Sequence, residues 1–286
     1  MPLRIAIASG KGGTGKTTVA TNLAWAASRD GYATTYLDCD VEEPNGHIFL
    51  MPEIMERRAV QRPVPQVDAE KCISCGACGE ICCYSAIVRI KDRVLTYPEL
   101  CHGCGGCSLV CPSDAISETP RDIGTLETGP AGDITFVRGL LKIGQPMSPP
   151  VIRAVKSTAI GGDLVVVDAP PGTSCPVVES VRDASYVVLV TEPTPFGLHD
   201  LKLAVEMVRL LKIPFGVVIN RARPDGTDIG AYCEEQSISV LMEIPDDRRL
   251  AEAYSQGTMA CEALPEYQSM FTGLLKSLGA TKGGAS

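Results

Sequence analysis

Eight residues near the start, GKGGTGKT from Gly10 to Thr17, constrain this chain more than any other segment. They satisfy G-x4-G-K-[ST] in full. The preceding stretch, Leu3 to Ser9, is mostly apolar with little alternation, which suits a strand covered on both faces of a parallel sheet. The following stretch, Lys16–Arg29, puts Val19, Leu23, Ala26 and Ala27 on one side of a helix that Asp30-Gly31 ends. Strand, glycine-rich turn and helix in that order turn backbone N–H groups inward around a phosphate, and the helix N-terminus adds partial positive charge. Lys16 is then placed to reach β- and γ-phosphate oxygens, and the Thr17 hydroxyl to bind Mg²⁺. Gly10, Lys11, Gly12, Gly13, Thr14, Gly15 and Thr18 complete the nucleotide-binding set.

The alternation that begins there continues after an interruption. Ala33–Asp38 reads as a second strand. Further strands fit Leu164–Asp168, Tyr186–Thr191, Phe215–Asn220 and Ser239–Ile244. Helices fit Pro176–Asp183, Leu198–Leu211, Ile229–Gln236, Asp247–Gln256 and Tyr267–Leu278. This predicts an α/β fold, a doubly wound and mostly parallel sheet. Between the two halves, Pro52 to Pro65 reads as a polar linker, and Arg121 to Pro150 as a Gly/Pro-punctuated segment with one short strand near Asp133–Val137.

The interruption itself is rich in cysteine. Cys72, Cys75, Cys78 and Cys82 form one C-x2-C-x2-C-x3-C run, and Cys101, Cys104, Cys107 and Cys111 form another, an internal repeat of about 30 residues. Eight of the 13 cysteines fall in these runs, so a metal framework in a reducing cytoplasm is the expectation rather than secreted disulfides. Two-residue steps let three thiolates reach one face of a 4Fe–4S cube, with Gly76, Gly79, Gly103, Gly105 and Gly106 permitting the tight backbone. Zinc is the competing occupant of C-x2-C pairs. Cys83 stands where such runs usually carry proline, either as a small packed residue or as a spare ligand. The expected organisation is 1–64 and 121–286 as one nucleotide-binding domain, with 65–120 as a small inserted α+β domain.

The two runs resemble bacterial two-cluster ferredoxins. In that arrangement the fourth cysteine of each run crosses over, which implies one cluster on Cys72, Cys75, Cys78 and Cys111, and another on Cys101, Cys104, Cys107 and Cys82. The phosphate loop, with its second lysine Lys11, resembles the deviant Walker-A P-loop ATPases that include MinD, ParA, Mrp and the nitrogenase iron protein. The resemblance implies a homodimer in the ATP state, with Lys11 reaching the partner's nucleotide; a solvated loop lysine is the alternative. Val165–Asp168 followed by APPG resembles Walker B and switch II, giving Asp168 to the Mg²⁺ shell. Asp38-Cys39-Asp40 resembles switch I, with Asp40 orienting the attacking water and Asp38 supporting Mg²⁺; a turn-capping role is the alternative for the aspartates. Asn220-Arg221 matches where this family binds the adenine edge, and IPDD, including Pro245 and Asp247, resembles the loop closing over the base. No guanine-reading N-K-x-D is evident, which favours ATP over GTP. Cys175, seven residues beyond Asp168, lies where the nitrogenase iron protein places a cluster ligand, and a third, bridging cluster or a turn into the next helix are its two readings.

The combined resemblance, to MinD-superfamily ATPases with an inserted ferredoxin domain, implies ATP/ADP, Mg²⁺ and two 4Fe–4S clusters as cofactors. It also implies a redox protein, or one binding iron–molybdenum or molybdenum–copper clusters, as partner. The leading expectation is an ATPase coupling nucleotide state to electron transfer or metallocluster handling. Alternatives are a MinD/ParA-like spatial regulator with redox-sensing clusters and an iron–sulfur cluster carrier. A net charge of −8 gives no support to nucleic acid as the main partner. The N-terminus lacks the length and cleavage site of a signal peptide. Met270, Phe271, Leu274, Leu275 and Leu278 recur at helical spacing in a tail whose only lysines are Lys276 and Lys282, so a core helix is expected there rather than a membrane anchor.

Overall fold

A computed structural model describes residues 2–158 and 161–279. Its elements in chain order are β1 (Leu3–Ala8), α1 (Lys16–Arg29), β2 (Thr34–Asp38), α2 (Gly46–Leu50), β3 (Glu56–Val67), α3 (Ala77–Ile81), β4 (Ile87–Ile90), β5 (Arg93–Thr96), α4 (Gly106–Leu109), β6 (Ile116–Ala131), β7 (Ile134–Leu141) and α5 (Pro149–Ser157). There follow β8 (Leu164–Asp168), α6 (Cys175–Val181), β9 (Tyr186–Thr191), α7 (Pro195–Leu211), β10 (Phe215–Ala222), α8 (Ile229–Glu235), β11 (Val240–Pro245), α9 (Arg248–Ser255), α10 (Ala260–Ala263) and α11 (Pro265–Ser277). The chain divides into two units. One comprises Met1–Arg57, Leu126–Leu140 and Ile152–Ser286; the other comprises Arg58–Thr125 and Leu141–Val151.

In the first unit the strand order is β11-β10-β9-β1-β8-β2-β7, with the last residues of β6 beside β7. The pairings β10/β11, β9/β10, β1/β9, β1/β8, β2/β8 and β2/β7 are all parallel. β8 is buried along its whole length, and in β1 the run from Ile5 to Ala8 is too, as expected of strands with helices on both faces. α1 is buried nearly all round, because Ala20, Ala24, Ala26 and Ala27 are small enough for α10 and α11 to close over it. In α11, Tyr267, Phe271, Leu274 and Leu275 are buried, so the apolar spacing of the tail serves the core; Lys282 lies outside the described residues. Among the described residues, no helix is long and apolar enough to cross a membrane.

Two expectations are corrected here. The segment expected to be a linker, Pro52 to Pro65, is mostly strand: β3 starts at Glu56 and buries Val60, Arg62 and Val64 in strict alternation. Pro63 and Pro65 are tolerated because β3 is an edge strand, beside β6 alone. The punctuated segment from Arg121 to Pro150 carries two long strands, not one short one. β6 turns straight back into β7 at Gly132, whose φ of 58 opens the tight turn.

The second unit holds β3 beside β6, the antiparallel hairpin β4/β5, and the short helices α3 and α4. Its backbone repeats itself. Left-handed φ values at Ser74, Gly76 and Ser85 recur at Gly103, Gly105 and Asp114, each 29 residues later, the same offset that separates Cys72 from Cys101.

Candidate functional site

The phosphate loop leaves β1 and enters α1, and every other residue expected at the nucleotide sits at or just beyond the C-terminal end of a parallel strand: Asp38 at the end of β2 with Asp40 after it, Asp168 on β8, Asn220 and Arg221 on β10, and Pro245 at the end of β11 with Asp247 after it. Ligands of open α/β sheets gather at these strand ends. A cleft of about 460 Å³ opens there. Gly12, Gly13, Gly15, Lys16, Thr17 and Thr18 line it from the loop, together with Asp40, Asn220, Arg221, Pro245 and Asp247.

Asn220 ties the two ends together, its Nδ2 donating to the Thr14 carbonyl at 2.8 Å. Gly15 must be glycine, since its φ is 93 and a Cβ would lie 2.2 Å from Asn220 Nδ2. Gly10 does not reach the cleft: a Cβ there would collide with the Asp200 carbonyl at 2.1 Å, so this glycine serves close packing against α7. Arg221 adopts φ 54 where the β10/β11 register shifts, and its guanidinium pairs with Glu192 at 2.8 Å.

Beneath the cleft, Asp38 and Asp168 are register partners on β2 and β8. Both are buried. The Tyr36 hydroxyl donates to Asp168 Oδ2 at 2.8 Å, and the Gly46 N–H donates to Asp38 Oδ2 at 3.0 Å, leaving each Oδ1 buried without a partner among the described residues. Burial, then the charge of Asp168, drives the Asp38 carboxyl well above its ordinary range, and burial raises Asp168 despite the neighbouring Lys16. Two crowded carboxyls with a free oxygen each, beside the Thr17 hydroxyl, suit a hard divalent cation such as Mg²⁺. Burial lowers the Lys16 amine against the pull of Asp168 and Asp40. Asp40 is pushed up to about 6 by burial and Asp168.

Lys11 does not line the cleft; its amine lies 3.7 Å from Glu192. Glu192, which thus engages both Lys11 and Arg221, is not among the residues expected at the site from sequence. Tyr36 and Tyr254 were missed as well. Tyr254 lines the cleft with Leu250, one turn earlier on α9, a face that helical spacing could have shown. Asp247 caps α9 and is held down to about 2 by its hydrogen bonds with Arg249 and then Tyr267.

In the second unit the eight cysteines of the two runs sort into two cavities, and the fourth of each run changes sides. Cys72, Cys75 and Cys78 line one cavity together with Cys111. Cys101, Cys104 and Cys107 line the other together with Cys82. Cys83 and His102 also border the second, where His102 stacks on Tyr84 with ring centroids 3.4 Å apart. Among the described residues no three His, Cys, Asp or Glu side chains converge closely enough to hold a single metal ion. A four-iron cube spreads its four thiolates over separate corners, so four cysteines ranged around each cavity suit it better than one zinc. The sulfur environments differ: burial pushes the Cys78 and Cys107 thiols up, whereas the fourth cysteine of each run sits where an anion is favoured. Burial acts to raise the Cys82 and Cys111 thiols, but surrounding backbone N–H groups outweigh it and hold both below their ordinary value; the Ala115 N–H, for one, lies 3.3 Å from Cys111 Sγ. The remaining cysteines divide plainly: Cys39, Cys233 and Cys261 are buried, and Cys175 is exposed at the start of α6.

A parallel sheet with a glycine loop, a lysine and two aspartates at its strand ends defines a P-loop nucleotide-binding unit of the α/β class. Residues 5–260 match the CobQ/CobB/MinD/ParA nucleotide binding domain, and the chain belongs to that family. It is 32% identical over 224 residues to an uncharacterised protein of Methanocaldococcus jannaschii, covering 77% of this chain and 78% of that one. It is 24% identical over 308 residues to an iron–sulfur cluster carrier protein of the same organism, covering 98% of this chain and 86% of that one. The fold is similar to that of the septum site-determining protein MinD of Pyrococcus horikoshii, complexed with Mg-ADP, with a TM-score of 0.60 and 19% identity over 97% of this chain and 96% of that one.

Proposed function

We propose that this chain is an ATP-hydrolysing iron–sulfur protein in which an ATP-gated dimer couples nucleotide state to electron transfer or metallocluster handling on a partner protein. The observation that carries this reading is the sorting of eight cysteines into two four-cysteine cavities within a chain that also holds a P-loop cleft. Cys72, Cys75, Cys78 and Cys111 would hold one 4Fe–4S cluster, and Cys101, Cys104, Cys107 and Cys82 the other, in a ferredoxin-like insert. The clusters, when bound, supply one-electron chemistry. Mg²⁺, when bound, supplies charge neutralisation at the phosphates.

The chain's own residues do the rest. Backbone N–H groups of the loop and Lys16 bind the phosphates of ATP. Thr17, Asp38 and Asp168 hold the metal. Asp40 orients the attacking water, Asn220 and Arg221 meet the adenine edge, and Pro245 and Asp247 close over the base. Lys11 leaves Glu192 to reach the partner subunit's nucleotide. Differential affinity of ATP for the paired and unpaired states drives the change, and hydrolysis resets it. The reducing cytoplasm is the compartment this chemistry requires.

The test is anaerobic. The full chain, reconstituted with iron and sulfide, should hold about eight irons and hydrolyse ATP. An Asp40→Ala variant held in ATP should capture a redox or metallocluster protein from an anaerobic lysate. A chain that binds zinc in place of iron, or ATP turnover indifferent to Asp40, would sink the reading. A second reading, cluster delivery, draws on the name of the 24% identical carrier proteins. Sites closed by four thiolates are poor donors, and tracking labelled iron decides: transfer to an apo-protein favours the carrier, while retention during electron transfer favours the first reading.

A further inference from the structure

Arg62, on β3, is 3% exposed. Its Nη2 donates to the Pro98 carbonyl at 3.0 Å, its Nη1 lies 3.6 Å from Met147 Sδ, and its Nε is buried with no partner among the described residues. Among the described residues no ion pair neutralises it; the charged and titratable groups that interact with it are Cys101, His102 and a second cation, Arg121. A guanidinium stays charged at every accessible pH, so this is a buried and uncompensated positive charge.

Its position is specific to one cysteine set. The Arg62 stem occupies the space where a side chain at Gly103 would stand: a Cβ there would lie 2.8 Å from Arg62 Cγ. Gly103 in turn lies between Cys101 and Cys104, and its N–H donates to Cys101 Sγ at 3.3 Å. The equivalent position in the first run is Ser74, which adopts the same left-handed φ but keeps its side chain, with Oγ donating to the Asp92 carbonyl at 2.7 Å. The first set has a nearby arginine too, Arg89, with its Cδ 3.4 Å from the position of a Cβ on Gly76. Arg89 is exposed, so water and salt screen it.

We propose that Arg62 makes the four-cysteine site containing Cys101 the more easily reduced of the two, so that an electron entering this unit settles there. The inference rests on the reading that both sites hold 4Fe–4S clusters. Reduction adds one negative charge, and a buried cation stabilises the reduced form far more than a solvated one does. Gly103 leaves room for the Arg62 stem, and its φ of 67 and the Pro63 carbonyl, 3.1 Å from where a Cβ would stand, favour glycine there as well.

The test is a redox titration of the anaerobically reconstituted full chain, with dithionite as the one-electron reductant and electron paramagnetic resonance as the readout. Wild type should show about eight irons and two couples. Arg62→Gln should lower one couple so that its reduced-to-oxidised ratio at fixed potential falls tenfold or more, about 59 mV for one electron. The other couple should stay put, and the couple that moves should be the one missing from Cys104→Ala. Arg62→Lys keeps the charge and should restore most of the potential. Gly103→Ala, which pushes the Arg62 stem aside, should give a smaller fall in the same couple if Arg62→Gln does not fold. Equal shifts of both couples, no shift, or movement of the couple that survives Cys104→Ala would overturn the proposal. Wild type without two clusters would instead reject the cluster reading beneath it.

Discussion

Asp38 and Asp168 stand opposite each other in the β2/β8 register, both buried and each with one oxygen that no group among the described residues satisfies. Their carboxyls crowd one another, and a bound cation would relieve that. Asp38→Asn removes that repulsion while its amide oxygen can still accept from Gly46. The metal-free protein should gain about 1–2 kcal/mol of stability, and the stabilisation by Mg-ADP expected of wild type should vanish. Thermal melts with and without Mg-ADP check both; a variant that Mg-ADP still stabilises as wild type would exclude Asp38 from the metal's surroundings.

Asp40 gives a pH dependence of defined sign. Burial and Asp168 raise its pKa from an ordinary 3.8 to about 6 in the folded protein. Between those values the folded state binds more protons than the unfolded one, so this residue's contribution to stability falls as pH rises from about 4 to 6. Asp40→Asn should therefore gain on wild type across that window, by about 1–2 kcal/mol after allowance for partial exposure. Urea unfolding without nucleotide at pH 4.5, 5.5 and 7 measures the difference, and a gap that narrows with rising pH would contradict it.

Gly15→Ala places a Cβ against Asn220 Nδ2 and forces a left-handed φ on alanine. The strain, about 1–3 kcal/mol, falls on the contact that joins the loop to β10. Nucleotide affinity should drop about tenfold or more with circular dichroism unchanged. Titration calorimetry giving wild-type affinity would show that this contact does not shape the cleft.

Lys11 is held by Glu192 within its own chain. If Lys11 must leave that carboxylate to complete an ATP dimer, Glu192→Gln should strengthen dimerisation about two- to fivefold per subunit, the worth of a partly exposed ion pair. Lys11→Ala should abolish it. Light scattering in ATP, in an Asp40→Ala background, reports both; dimerisation weakened by Glu192→Gln would mean that Glu192 supports the interface instead.

The crossover of the fourth cysteines is testable by pairs. Cys72 and Cys111 line the same cavity, so the double alanine variant should keep about four irons per chain. Cys101 and Cys111 line different cavities, so their double variant should keep almost none. Iron analysis after anaerobic reconstitution would give the opposite pattern if each run closed on itself.

The sequence by itself determined the elements whose signals are local. Strand, glycine loop and helix at Gly10–Thr17 are written in consecutive residues, and the apolar runs Leu164–Val167 of β8 and Val187–Val190 of β9 mark a parallel sheet because burial on both faces leaves no room for alternation. The cysteine spacing likewise carried its repeat, since loop geometry around a metal is a short-range constraint. Tertiary structure decided the rest. β3 was unreadable because two prolines suggest a linker, and only its place at an edge, where missing donors cost nothing, allows it to be a strand. Which carboxylates crowd together depended on the β2/β8 register, and Glu192 met Lys11 only because β9 and β1 are neighbours. The Arg62 charge beside one cysteine set had no local signature at all, for burial without a counter-ion is a property of the packed fold.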